Sequence, residues 1–446
     1  MSLSKHSIVE ILNFKSSYLQ NERNLYVYLP PSYEQAQDTK YPVLYMHDGQ
    51  NIFHPAFNGQ SWNIHHVVNK LIEQGEMQEI IIVGIENMKE ERANEYSFHT
   101  LDEDSLQVPP ALACIQPKGE LYEKFIVNEV KPFIDEQFRT KKEAKYTALM
   151  GSSRGGAITY HIGLKRPDVF SMLAILSPYF YYVDPHTLQE FSQVNIPVQK
   201  VNHKKIWVDV GEYEGVLIRV EHVKDIANKL LTCGYQYGEE VAYYQDDTAA
   251  HTEADWEARV HMPLLYFFGK ETKLADVELK GRSIFGLNEK AGSLNAVKTY
   301  SNGVKVTELQ GEYQVADKGV VSIAKDGTVI PKSVGKTVVQ FQSEGRKTSK
   351  EIEIVDYVSD RVPVSMQVKS IDALPDVLRI YADLPLKRVD SYHFYNQFIL
   401  PIDTGLGFRF YLDNGKGEVK ESGAPVYHRI MITDPIHKKF TVEKWL

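Results

Sequence analysis

The chain is poor in cysteine. Only Cys114 and Cys233 occur in 446 residues. Two cysteines exclude a disulfide framework and a zinc ribbon, and both read as small, buried, apolar side chains. Positive charge is also short. Lys and Arg total 50 against 59 Asp and Glu, a formal net charge of −9. The basic face of a nucleic-acid binder is therefore missing. No apolar run approaches the ~20 residues that span a bilayer. The opening "MSLSKHSIVEILNFKSS" lacks the continuous apolar core of a signal peptide. This leaves the compartment open: exported or cell-surface if a leader has been trimmed, cytoplasmic otherwise.

What is present suffices for a packed core. Hydrophobic residues make up 43% of the chain, an ordinary share, and the length predicts two or three domains. Up to about residue 270, short apolar runs alternate with amphipathic ones. "NLYVYLP", "YPVLYMH", "EIIIVGI", "KYTALMG", "SMLAILS", "KIWVDVG" and "EVAYYQ" read as strands, several of them buried on both faces. "GELYEKFIVNEVKPFIDEQF", "RVEHVKDIANKLLTCG" and "TEADWEARVHMPLLYFF" read as helices, the first with Leu121, Phe125, Ile126, Val130, Phe133 and Ile134 on its apolar face. This alternation predicts an α/β domain: a mostly parallel sheet with flanking helices. Beyond it, short β-runs are broken by Asn-Gly and Asp-Gly turns, which is hairpin chemistry. The expected domains are residues 1–274 (α/β), 275–357 (all-β) and 358–446 (β-rich).

One stretch asks for chemistry. "ALMGSSRGGAITY" runs from a strand through a tight turn into a helix. Gly151-Ser152-Ser153-Arg154-Gly155 fits G-x-S-x-G, with Ser153 in the nucleophile position. A serine hydroxyl needs a base, and the base needs an orienting acid, in the chain order Ser, acid, His. His251, just before the last helix, is the well-placed base; His261 and His203 fit worse. Asp209, Glu212 and Glu214 compete for the acid after "KIWVDV", with Glu214 preferred because a loop past Gly211 can aim it at His251. The oxyanion donors expected are the main-chain N–H groups of Arg154 and of Gln50, in the loop after "YPVLYM".

These motifs carry a resemblance. "YPVLYMHDGQNIF", Trp62-Asn63, "IIIVGIEN" with "ERANEYSF", "GSSRGGA", "RPDVF", "GEYEG" and "HTEADWEARV" occur in order over the first ~270 residues. They resemble the serine esterase family of the α/β-hydrolase superfamily, which includes enterochelin esterases, feruloyl and acetyl-xylan esterases and the antigen 85 mycolyltransferases. The resemblance implies Ser153 as nucleophile, His251 as base, Glu214 as acid and Gln50 as second oxyanion donor. It implies a carbohydrate acyl ester (acetyl or feruloyl) or a catecholate trilactone as substrate. Residues 295–355, with "YSNGVKV", "VVSIAKDGTVIPKSVGKTVV" and "KEIEIVD", resemble a bacterial Ig-like module of the second group. The last ~85 residues resemble nothing nameable.

Several residues have plainer readings. Asp48 orders its own loop. "DDTAAHTEAD" is solvated charge. His47, His54, His65, His66 and His99 lack the helical spacing of metal ligands, so neither metal nor cofactor is expected. Trp62 and Trp256 pack, and Trp62 is also a candidate substrate contact. Tyr179 and Tyr181, after "MLAILS", are candidates to line an acyl or sugar pocket. Arg154 is expected exposed beside the serine. The competing function is an inert hydrolase fold within a surface or carbohydrate-binding protein, and an acyltransferase is a further alternative. No oligomeric state follows from the sequence.

Overall fold

The computed structural model describes residues 8–56, 59–98, 114–183, 189–194, 199–203, 205–215, 218–289, 292–374, 378–380 and 384–446. The chain divides into two compact units. The first comprises Met1–Val210, Val220–Ala242 and His251–Glu271, the second Gly211–Arg219, Tyr243–Ala250 and Thr272–Leu446.

The first unit is organised by a sheet whose strands are β1 (Ile8–Ser16), β2 (Asn21–Tyr28), β3 (Val43–His47), β4 (Ile81–Ile85), β5 (Thr147–Ser152) and β6 (Met172–Leu176). A small hairpin, β7 (Tyr181–Val183) with β8 (Glu190–Ser192), lies outside it. Strands β9 (Lys205–Tyr213) and β10 (Val241–Ala250) complete the order β1-β2-β4-β3-β5-β6-β9-β10. β1 and β2 pair antiparallel; from β4 through β9 the pairs are parallel. Each of β3, β4, β5 and β6 is buried along its whole length, as their unbroken apolar runs require of strands covered on both faces.

Strand order fixes where chemistry can occur. From β3 the chain steps outward to β4, then returns to lay β5 on the other side of β3. The crevice at such a reversal, beyond the carboxyl ends of the strands, is where open α/β sheets bind ligands. Here the strands on either side are β3 and β5, which lead into Asp48-Gly49-Gln50 and into Ser153.

The predicted helices are present with local differences. The first is continuous from Gly119 to Gln137 but contains a π-turn at Ile126–Val130. That turn rotates the face, so Tyr122 is buried and Leu121 is exposed. The second spans Val220–Thr232 and buries Val223, Ile226, Ala227 and Leu230. The last is two helices, Glu253–Arg259 and His261–Phe268. Two expectations are corrected. Cys114 is exposed in the turn before the helix that starts at Gly119, and Cys233, just past the end of the Val220–Thr232 helix, is half-buried; neither sits on a core face. "DDTAA" is not a solvated loop. It extends β10 to Ala250, and Asp247 pairs with Lys280 at 2.7 Å.

Among the described residues the second unit is built of strands, the ends of β9 and β10 included. A sheet of Leu274–Lys280, Asn295–Tyr300 and Lys305–Thr307 accompanies a four-stranded sheet in the order Ile284–Gly286, Arg346–Val355, Gly335–Ser343, Tyr313–Val315. Phe285, Leu294, Val321, Val339, Ile352 and Ile354 form their core. This region fits an Ig-like module. A further six-stranded sheet, whose longest strands Arg361–Ser370 and His393–Pro401 pair side by side, packs around Val364, Met366, Leu386, Phe394 and Phe410. No helix among the described residues is long and apolar enough to cross a membrane.

Candidate active site

Three adjacent parallel strands end in the same unusual way. Asp48 after β3, Ser153 after β5 and Ser177 after β6 all have positive φ, at 58°, 58° and 41°. Such backbone costs roughly 1–3 kcal/mol per residue and collects at functional sites. Ser153, with ψ −125°, lies outside the left-handed helical region that Asp48 occupies with ψ 42°. It stands at the N-cap of the Arg154–Lys165 helix, yet its side chain makes no capping bond. The turn leaves no room for side chains around it. A Cβ on Gly151 would lie 2.6 Å from the Gly155 backbone, and one on Gly155 would lie 3.2 Å from Asp48 Oδ2.

The Ser153 main chain is held from β6. Its N–H donates to Leu176 O (3.1 Å) and Ser177 O (3.2 Å), and its carbonyl accepts from Tyr179 N (3.0 Å). The Arg154 guanidinium lies over the Tyr179 ring, 4.7 Å from its centre. Arg154 is half-buried rather than exposed. Burial lowers its pKa and, together with the neighbouring Tyr182, raises that of Tyr179 to about 12 against the opposing charge of Arg154. Tyr96, Ser97, Phe98, Ala157, His161 and Gln193 line a small pocket with this pair. Tyr181 is engaged elsewhere, stacked on His222 at 4.3 Å.

The loop after β3 is pinned by charge. Asp48 accepts from Arg92 Nε (2.7 Å) and Nη2 (2.8 Å) and from Asn87 Nδ2 (2.6 Å). Burial pushes its carboxyl up, but Arg92 and Asn87 outweigh this and hold it below the usual range. Asp48 thus ties its loop to the one after β4, a wider role than ordering its own turn. Gln50 joins the same tie, its Oε1 accepting from Asn87 N at 3.1 Å. Gly49 is forced by the approach of β4: a Cβ there would lie 2.5 Å from Gly84.

His251 is half-buried between β10 and the Glu253–Arg259 helix. Trp256 stands edge-on to it with ring centres 4.9 Å apart, and stacks on Trp62 at 5.5 Å. Trp256 Nε1 donates to Ser177 Oγ (2.9 Å), which also accepts from Arg259 Nη2 (2.5 Å). Arg259 Nε in turn donates to Asp209 Oδ1 at 3.1 Å, and Trp207 Nε1 to Asp209 Oδ2 at 2.8 Å. No sequence motif announced this buried network; the one available signal was an arginine on the apolar side of "EADWEARVHMPLL". His203 is bonded to Tyr235 and to Gly163 O.

The three carboxylates differ. Asp209 is held by Arg259 and Trp207. Glu212 Oε1 accepts from Gln245 Nε2 at 2.6 Å, and burial raises its pKa. Glu214 is fully buried, and its Oε1 accepts from Gly211 N at 2.6 Å. Among the described residues no group of three His, Cys, Asp or Glu could hold a metal ion; His99 lies outside them.

A mostly parallel sheet flanked by helices is the fold of an α/β-hydrolase. Residues 16–266 match the family model "Putative esterase", and the chain belongs to that family. It is similar to the Bacillus subtilis (strain 168) "Uncharacterized protein YjcH", 27% identical over 215 residues, covering 47% of this chain and 75% of that one. It is also similar to an endo-1,4-beta-xylanase/feruloyl esterase of Xylanibacter ruminicola, 27% identical over 179 residues, covering 39% of this chain and 22% of that protein. Among solved structures, the enterobactin esterase FES from Shigella flexneri shares 18% identity, covering 58% of each chain, with a TM-score of 0.44. The protein is a carboxylic ester hydrolase.

Proposed function

We propose that this esterase works through an acyl-enzyme on Ser153. Ser153 Oγ attacks the ester carbonyl as His251 takes its proton. The N–H groups of Arg154 and Gln50 hold the oxyanion. His251 then protonates the departing alcohol, and water, deprotonated by His251, releases the acid. Glu214 is the carboxylate that orients His251. It is fully buried just past the end of β9, in the chain order serine, acid, histidine. The observation that carries the reading is Ser153 itself: a half-buried serine held at φ 58° whose hydroxyl is not used as a helix cap.

For the substrate we infer an aromatic acyl ester of a carbohydrate, of the feruloyl kind. The aromatic lining by Tyr96, Phe98 and Tyr179 beside Arg154 supports it, as does the activity named for the Xylanibacter ruminicola relative. Trp62 lies outside this lining and reaches the site through its stack on Trp256, which stands beside His251. The test is a panel of feruloyl, acetyl and catecholate trilactone esters given to the wild type and to Ser153→Ala. Feruloyl esters turn over fastest and Ser153→Ala abolishes all cleavage. Preferred cleavage of the trilactone overturns the substrate, and an active Ser153→Ala enzyme overturns the mechanism.

A further inference from the structure

The strand Thr404–Phe408 carries glycine at alternate positions, Gly405 and Gly407, and both are used for close approach to the backbone of the β9 and β10 ends. A Cβ on Gly405 would lie 2.2 Å from Glu212 O and 2.9 Å from Tyr213 Cα. One on Gly407 would lie 2.5 Å from Ala250 Cβ and 2.6 Å from Tyr213 O. Leu406 between them forms a β-bridge with Glu214, and Gly215 N donates to Gly405 O at 2.9 Å. Neither glycine has positive φ. Space, rather than backbone conformation, excludes side chains here.

Other strands of the same unit grip the neighbouring residues. Gln245 N donates to Thr307 Oγ1 at 3.0 Å, and Gln245 Nε2 reaches Glu212. Lys280 pairs with Asp247, and Arg282 Nε lies 2.9 Å from Asp403 Oδ2, at the foot of the glycine strand. Gly211–Tyr213 end strand β9, and Glu214 and Gly215 follow directly, with Glu214 Oε1 accepting from Gly211 N at 2.6 Å. Residues just past a strand end sample fewer conformations when another backbone pairs with them.

We propose that the strand Thr404–Phe408 is a positioning element for Glu214, acting through the Leu406–Glu214 bridge and the close approach of Gly405 and Gly407. This rests on the reading of Glu214 as the orienting carboxylate. A side chain at Gly405 pushes the strand off the loop, breaks the Leu406–Glu214 bridge and displaces the carboxylate; a displacement of about 1 Å at a catalytic group costs on the order of 10²-fold in rate.

The experiment is a double-mutant cycle on the full chain. Gly405→Val is expected to lower kcat about 10²-fold, with KM within about twofold of wild type. Added to Glu214→Gln, it is expected to cause no further loss, because both changes remove one interaction. Gly415→Ala, which strains a turn of the same region at φ +84°, keeps wild-type kcat. If Gly405→Val does not fold, Gly407→Ala takes its place in the cycle with the same expectations. A folded Gly405→Val enzyme with wild-type kcat, losses that multiply in the double variant, or an equal loss in Gly415→Ala overturns the proposal while Glu214→Gln remains slow. Wild-type turnover by Glu214→Gln overturns the acid assignment itself.

Discussion

Trp256 stands edge-on to His251 with ring centres 4.9 Å apart, and its indole N–H is tied to Ser177 Oγ at 2.9 Å. Ser177 also receives the Ser153 N–H on its carbonyl. One residue thus anchors both the backbone of the serine and the aromatic wall of the histidine. Trp256→Phe removes the donor and keeps a ring. It is expected to lower kcat by roughly tenfold through loosened imidazole geometry, with KM little changed. Steady-state kinetics on an aryl ester, beside a thermal melt, check this; unchanged kcat would reduce Trp256 to packing.

The pair Asp209–Arg259 is fully buried. Removing one partner of such a pair leaves an uncompensated charge and costs about 3–5 kcal/mol. Asp209→Asn should therefore lower the urea midpoint of the first unit strongly, while the enzyme that remains folded keeps most of its kcat. Loss of kcat in a stably folded Asp209→Asn would make Asp209 the triad acid in place of Glu214.

His47 is buried at the end of β3, its Nδ1 2.9 Å from Tyr122 Oη. Burial, with Arg92 adding to it, pushes its pKa from 6.5 down to about 3, against the pull of Asp48. The folded state therefore binds fewer protons than the unfolded chain between these values. Stability is expected to fall as pH drops below about 6.5, by up to about 1.4 kcal/mol per pH unit from this group. Asp48, held below its usual range, contributes stability that is lost at still lower pH, as its folded pKa is crossed. Melting temperature against pH tests this. His47→Gln should flatten the slope between pH 6 and 4; an unchanged slope would contradict it.

Gly151→Ala would place a methyl 2.6 Å from the Gly155 backbone. The turn must open, which moves Ser153. The expected outcome is a folded protein with turnover reduced at least about 10²-fold, read by aryl ester hydrolysis with circular dichroism as the folding control.

The strands of the α/β sheet were legible because each is a compact apolar run, and Ser153 because its turn demands glycines. β1 was not, since it is an exposed edge strand with broken alternation. The extension of β10 to Ala250 was hidden by its charges, which find partners such as Lys280 only in three dimensions. The same holds for Asp48, whose partners Asn87 and Arg92 lie about forty residues on. Ser177, Arg259 and the glycine strand Thr404–Phe408 act through contacts between distant segments, and neither periodicity nor spacing along one segment encodes those.

The most direct test of the central claim is to trap the intermediate. Mass spectrometry of the intact protein, quenched in acid after mixing with a slow aryl ester, should show one acyl group, mapping to the peptide that contains Ser153 and absent from Ser153→Ala. Ester turnover with no acyl adduct, or with the adduct on another residue, would contradict the account.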